Sequence, residues 1–133
     1  MADNEPKTKT DEDWQRELTP EQYRVLRCHG TEPAGASPLN AEHRSGTFSC
    51  AGCGAPLFSS DTKFDSGTGW PSFSAPISEG AVGTSVDVKL FVPRTEVHCD
   101  RCGGHLGHVF EDGPEPSGLR YCMNGAALKF EPR

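Results

Sequence analysis

The chain has 133 residues, 34% of them hydrophobic, and a formal net charge of -6. That length suits one domain, and its lysines and arginines are scattered with no basic run to follow a phosphate backbone, which argues against a nucleic-acid partner. No stretch approaches the roughly 18 consecutive apolar residues of a membrane span, and residues 1–13 are too polar for a signal-peptide core, so no membrane association and a cytoplasmic location are expected.

In chain order, residues 1–10 lack apolar side chains beyond Met1 and Ala2 and read as a disordered leader, with residues 11–133 as a single domain. Leu18-Thr19-Pro20-Glu21-Gln22-Tyr23 carries an N-cap threonine, proline at the first helical position, glutamine at N3 and a Leu18/Tyr23 staple, which predicts a short helix over 20–28. Gly30 and Pro33 stop it, and residues 30–46 form an irregular, flexible arm. From Thr47 onward strands and turns are expected, consistent with 15 glycines and 11 prolines. Period-two alternation over 85–90 turns Val86, Val88 and Leu90 toward a core. Further strands are expected at 95–99, 106–110, 119–123 and 127–130, separated by Asp112-Gly113-Pro114 and Asn124-Gly125, giving a mainly β, antiparallel fold with a short N-terminal helical segment.

Six cysteines in a chain without secretory features point to metal ligation or redox chemistry before structural disulfides. Four of them form two Cys-x-x-Cys-Gly elements, Cys50/Cys53 and Cys99/Cys102, able to complete a tetrahedral Zn²⁺ shell. The 45 intervening residues exceed the about 15–20 of a zinc ribbon, so the metal would clamp distant parts of the domain. Two local redox dithiols are the alternative, but neither pair opens a helix as that motif requires. With four protein ligands the zinc, one per chain, would be structural, and catalysis must lie elsewhere.

Cys28 and Cys122 remain. Cys122 lies in Gly118-Leu-Arg-Tyr-Cys-Met-Asn124, near an arginine and an asparagine suited to an anionic reacting group. His105-Leu-Gly-His108-Val-Phe110-Glu-Asp112 follows closely on the last zinc ligand and could supply protons. Taken singly, these are ordinary packed or surface residues. A glycine-flanked loop at 66–73 adds Trp70, whose face could hold a methyl group.

Together with these, Cys50-Ala-Gly-Cys53-Gly-Ala-Pro-Leu-Phe58, Lys63-Phe-Asp-Ser-Gly-Thr-Gly-Trp-Pro-Ser-Phe73 and Arg94-Thr-Glu-Val-His-Cys99 stand in the order found in the B-type methionine-R-sulfoxide reductases. The chain resembles that family over residues 11–131. The resemblance implies two antiparallel sheets forming an open, zinc-stabilised β-barrel, and an oxidoreductase that reduces methionine-R-sulfoxide, protein-bound or free, to methionine. It implies Cys122 as the nucleophile that becomes a sulfenic acid, with His105, His108 and Asn124 around the sulfoxide oxygen, and Asp112 and Arg120 in support. Trp70 and Phe110 would bind substrate, and thioredoxin would be the reductant.

One departure stands out. Thr68 occupies the position where many relatives carry the resolving cysteine; Cys28, next to the flexible arm, is the expected resolver, the alternative being a packed helix residue with an external thiol reducing the sulfenic acid directly. Two other readings compete: a zinc-held binding module without catalysis, and a redox sensor whose metal thiolates themselves oxidise. A non-ligand cysteine beside such a polar cluster favours the enzyme.

Overall fold

Two capping boxes open the part of the chain that the computed structural model describes, residues 10–89 and 92–133. α1 (Asp11–Glu17) starts at Thr10, whose side chain accepts from the Asp13 N–H while the Asp13 carboxylate accepts from the Thr10 N–H. α2 (Pro20–Cys28) repeats the device with Thr19 and Gln22, has proline in its first turn, and ends at His29 in the left-handed region (φ 57°). The expected helix thus forms over its expected range, and α1 was not foreseen. Trp14, Val25 and Leu26 are buried, and the Arg27 guanidinium lies 4.6 Å over the Trp14 ring.

The strands are β1 (Gly46–Cys50), β2 (Pro56–Ser59), β3 (Lys63–Phe64), β4 (Ser72–Phe73), β5 (Val82–Lys89), β6 (Val92–Cys99), β7 (His105–Phe110), β8 (Arg120–Met123) and β9 (Leu128–Pro132). They make two antiparallel sheets, β2-β1-β9 and β3-β4-β8-β7-β6-β5. The mainly β, two-sheet architecture is as expected, and the two sheets are not closed into a barrel: β2 and β9 remain edges of one sheet, β3 and β5 of the other. They meet instead through aromatic packing. Phe73 of the larger sheet stacks on Phe58 at 4.4 Å and meets Phe48 edge-on at 5.1 Å, all three fully buried.

Asn124-Gly125 does not close a hairpin. It leads into a 3₁₀ turn (Gly125–Ala127) that carries the chain from β8 in one sheet to β9 in the other. Val86 and Val88, expected in the core, are 72% and 63% exposed. Their alternation does place them on the face of Val97, through the pairs Thr84↔Val97, Val86↔Thr95 and Val88↔Pro93. Val97 is buried, but the β5–β6 hairpin runs beyond the core, so that face continues with nothing over it among the described residues. Leu90 and leader residues 1–9 lie outside the described residues. Among the described residues, no helix is long and apolar enough to cross a membrane.

Candidate active site and metal centre

Strand register assembles the site. In the larger sheet Ser85 pairs with Glu96, Glu96 with His108, His108 with Cys122, and Cys122 with Ser72. Directly paired residues share a sheet face, so one row across five strands collects residues far apart in sequence. Two residues further along β7 and β8, Phe110 pairs with Arg120 on the same face, and the Arg120 guanidinium lies 4.5 Å over the Phe110 ring.

Cys122, His108, Phe110, Arg120, Asn124 and Trp70 line one cleft of about 300 Å³, joined by Thr31, Thr68, Arg94 and Gly107. Gly107 permits the close approach of β7 to β8, since a Cβ there would sit 2.1 Å from the Cys122 carbonyl oxygen. The cleft is of small-ligand size, with aromatic walls and a few polar groups. Thr68 Oγ1 lies 3.8 Å from Cys122 Sγ and heads a hydroxyl chain, with Ser66 Oγ at 2.8 Å and Ser72 Oγ at 2.7 Å beyond it. Asp112 stays outside the cleft and accepts two hydrogen bonds from Arg120, at 2.9 and 3.1 Å. That bidentate carboxylate raises the Arg120 pKa.

His105 does not line the cleft. It is buried behind it, 3% exposed, with its ring 5.5 Å from that of His108. Its Nδ1 lies 2.6 Å from Glu96 Oε2, while its Nε2 is buried without a hydrogen-bond partner among the described residues. Burial pushes its pKa below the usual histidine value, against the Glu96 carboxylate, which pulls it up. His29 Nε2 lies 3.0 Å from the same Glu96 oxygen.

Glu32, with no sequence signature of its own, ties the arm to the site. Its buried carboxylate accepts from the Gly125 and Ala126 N–H groups at 2.8 and 2.9 Å. Its backbone N–H donates to Asn124 Oδ1 at 2.9 Å, and its carbonyl accepts from the Trp70 indole at 3.0 Å. The Asn124 Nδ2 donates to the Leu106 carbonyl at 3.0 Å. The arm is therefore pinned where the sequence suggested looseness. Cys28 is exposed at the end of α2, its thiol beside the Tyr23 phenol, and is not among the cleft residues.

The four remaining cysteines meet at the ends of β1 and β6. Cys50 and Cys102 sulfurs are 3.7 Å apart and Cys53 and Cys99 sulfurs 3.5 Å, and all four lie within 4.8 Å of one another. Zn–S bonds of about 2.3 Å at tetrahedral angles separate sulfurs by roughly 3.8 Å, so this set fits a metal such as zinc. Gly54 and Gly103 take positive φ (80° and 77°) to close each turn. Thiol donation from Cys102 and Cys50 holds Cys53 well below the usual thiol range, while the Cys102 contact pushes Cys50 far up. Only a cation would let all four ionise together. Each pair belongs to a different sheet, so a metal here would clamp them.

The SelR domain family matches residues 18–132 of this chain. The chain is 58% identical over 123 residues to a peptide methionine sulfoxide reductase MsrB of Leptospira interrogans, covering 92% of this chain and 94% of that protein. It is 54% identical over 133 residues to the protein of that name in Thiobacillus denitrificans, covering 100% and 99%, and 55% identical over 130 residues to that of Methanosarcina mazei, covering 98% and 92%. With a cysteine outside the metal cluster in a polar, aromatic-walled cleft and likeness along nearly its whole length, the chain belongs to the MsrB family of peptide methionine sulfoxide reductases, which are oxidoreductases.

Proposed function

We propose that this chain reduces methionine-R-sulfoxide, in oxidised proteins and peptides and as the free amino acid, to methionine through Cys122. The observation that carries the reading is the cleft itself, in which Cys122 shares the walls with His108 and Arg120 and with the rings of Trp70 and Phe110. The rings would hold the apolar methyl group, and the histidine would protonate oxygen. The Cys122 thiolate attacks the sulfoxide sulfur, the oxygen passes to Cys122 as a sulfenic acid, and methionine leaves. Substitution of His108 by asparagine is expected to slow this step about 10²- to 10⁴-fold.

Asn124, with Oδ1 and one Nδ2 hydrogen engaged by the backbone, keeps a second Nδ2 hydrogen for the sulfoxide oxygen. His105, one layer behind the cleft, would support His108, whose ring is 5.5 Å from its own. Asp112 fixes Arg120. Cys28 is proposed to attack the sulfenic sulfur, releasing water and forming a disulfide that thioredoxin reduces. Because Cys28 stands outside the cleft, this step needs the end of α2 to move. Zn²⁺ held by Cys50, Cys53, Cys99 and Cys102 would be structural, and residues 11–133 would act as one domain.

The test incubates wild type, Cys122→Ser and Cys28→Ser with peptidyl methionine-R-sulfoxide, once with thioredoxin and once with dithiothreitol. Expected are no turnover by Cys122→Ser with either reductant, and turnover by Cys28→Ser with dithiothreitol alone. A zinc-loaded wild type that forms no methionine with either reductant overturns the proposal. An unaffected Cys28→Ser overturns the resolving role.

A further inference from the structure

We infer that Glu96 is a positioning residue for the reaction, holding His105 with its Nδ1–H turned to β6 and leaving its Nε2 as a bare acceptor. The inference rests on the proposed function, in which His105 supports His108 at the sulfoxide. Three groups converge on the Glu96 carboxylate. The Ser85 hydroxyl donates to Oε1 at 3.0 Å, and His105 Nδ1 and His29 Nε2 approach Oε2 at 2.6 and 3.0 Å. A carboxylate surrounded by three donors is satisfied in its ionised form. Burial alone would raise the Glu96 pKa, but the bonds from His105 and Ser85 outweigh it and hold it below the usual value.

The consequence concerns the tautomer. An ionised Glu96 beside a neutral His105 requires the proton on Nδ1, so Nε2 carries its lone pair. That atom is buried and without a partner among the described residues. An orphaned acceptor is costly, so the position is made to receive a hydrogen-bond donor such as water. His105 and His108 thus divide the work: His108, inside the cleft, donates toward the oxygen, and His105 stands behind it as an acceptor. The charged groups facing His105 are Glu96 from β6, His29 from the end of α2 and His108 from β7 itself. The arrangement resembles an acid–histidine pair in which the acid fixes the ring and stabilises its protonated form.

Nitrogen-detected NMR of zinc-loaded protein should show the His105 proton on Nδ1. Glu96→Gln should lower kcat about 10- to 100-fold at neutral pH with KM nearly unchanged, and shift the His105 titration to lower pH. His29→Gln, an exposed change, should shift that titration upward, since His29 holds it down. A proton on Nε2 in wild type, or a Glu96→Gln protein with an unchanged kcat–pH profile and His105 titration, overturns the inference. Should Glu96→Gln not fold, the wild-type tautomer and the His29→Gln titration decide the same question. The NMR readout is independent of turnover, so a wild type lacking reductase activity refutes the proposed function while the tautomer still judges Glu96.

Discussion

Replacing Glu32 should cost far more stability than its place in an irregular arm suggests. Its side chain is 3% exposed and accepts two backbone N–H groups of the turn between β8 and β9. Hydrogen bonds to a charged group contribute about 1.5–3 kcal/mol each, so Glu32→Ala, which orphans both donors, should destabilise by roughly 3–6 kcal/mol. Against a domain stability of about 5–15 kcal/mol, that is a large share. Glu32→Gln keeps one acceptor and sets its amide donors against the other N–H, for a loss of about 1–3 kcal/mol. Urea unfolding of the zinc-loaded proteins, followed by Trp70 fluorescence in a Trp14→Phe background, would measure both. If both variants unfold within about 1 kcal/mol of wild type at unchanged m, the anchoring role assigned to Glu32 is wrong.

Stripping the metal with a strong chelator should unfold the chain, because the four thiolates join β1 to β6; far-UV circular dichroism with parallel zinc determination checks this, and an unchanged melting midpoint would refute a structural metal. Thr68→Cys, placed where Oγ1 is 3.8 Å from Cys122 Sγ, should restore thioredoxin-dependent turnover to the Cys28→Ser protein; thiol alkylation and mass analysis would find a disulfide joining the introduced thiol to Cys122, and its absence after substrate addition would count against the geometry. Acidification should destabilise the fold. His105 has its folded pKa depressed, so the unfolded chain takes that proton first, and stability present above about pH 6.5 falls as pH drops through the folded value. Glu96, also depressed, adds loss of the same sign at lower pH. Urea midpoints of wild type and His105→Gln from pH 7.5 down to 5 would show a shallower dependence in the variant, and identical slopes would sink the assignment.

Local signals were the legible ones. Thr19-Pro20-x-Gln22 marked α2, and the two Cys-x-x-Cys-Gly elements marked the metal cluster, because each is complete within a few residues. α1 rests on an equally local box with aspartate at N3, a weaker form of the same signal that went unread. Val86 and Val88 show where periodicity stops: it gives the face of a strand but not how far the opposite layer extends. Glu32, Glu96 and His29 were missed because their partners are distant in sequence or, for Glu32, are backbone amides that leave no side-chain trace. The family resemblance groups His105 with His108 and Asn124 around the sulfoxide oxygen, whereas the structure sets it one layer behind the cleft.

The row from Ser85 through Glu96 and His108 to Cys122 also says how this protein can change over evolutionary time. Each member comes from a different strand, and a strand shifted by a single residue turns its whole set of side chains to the opposite face. Insertions in the connecting loops leave the row intact. A single insertion or deletion within β6, β7 or β8 would remove one member from it without altering any side chain's identity, so in this chain the spacing of residues inside three strands is as much a determinant of the chemistry as the cysteine itself.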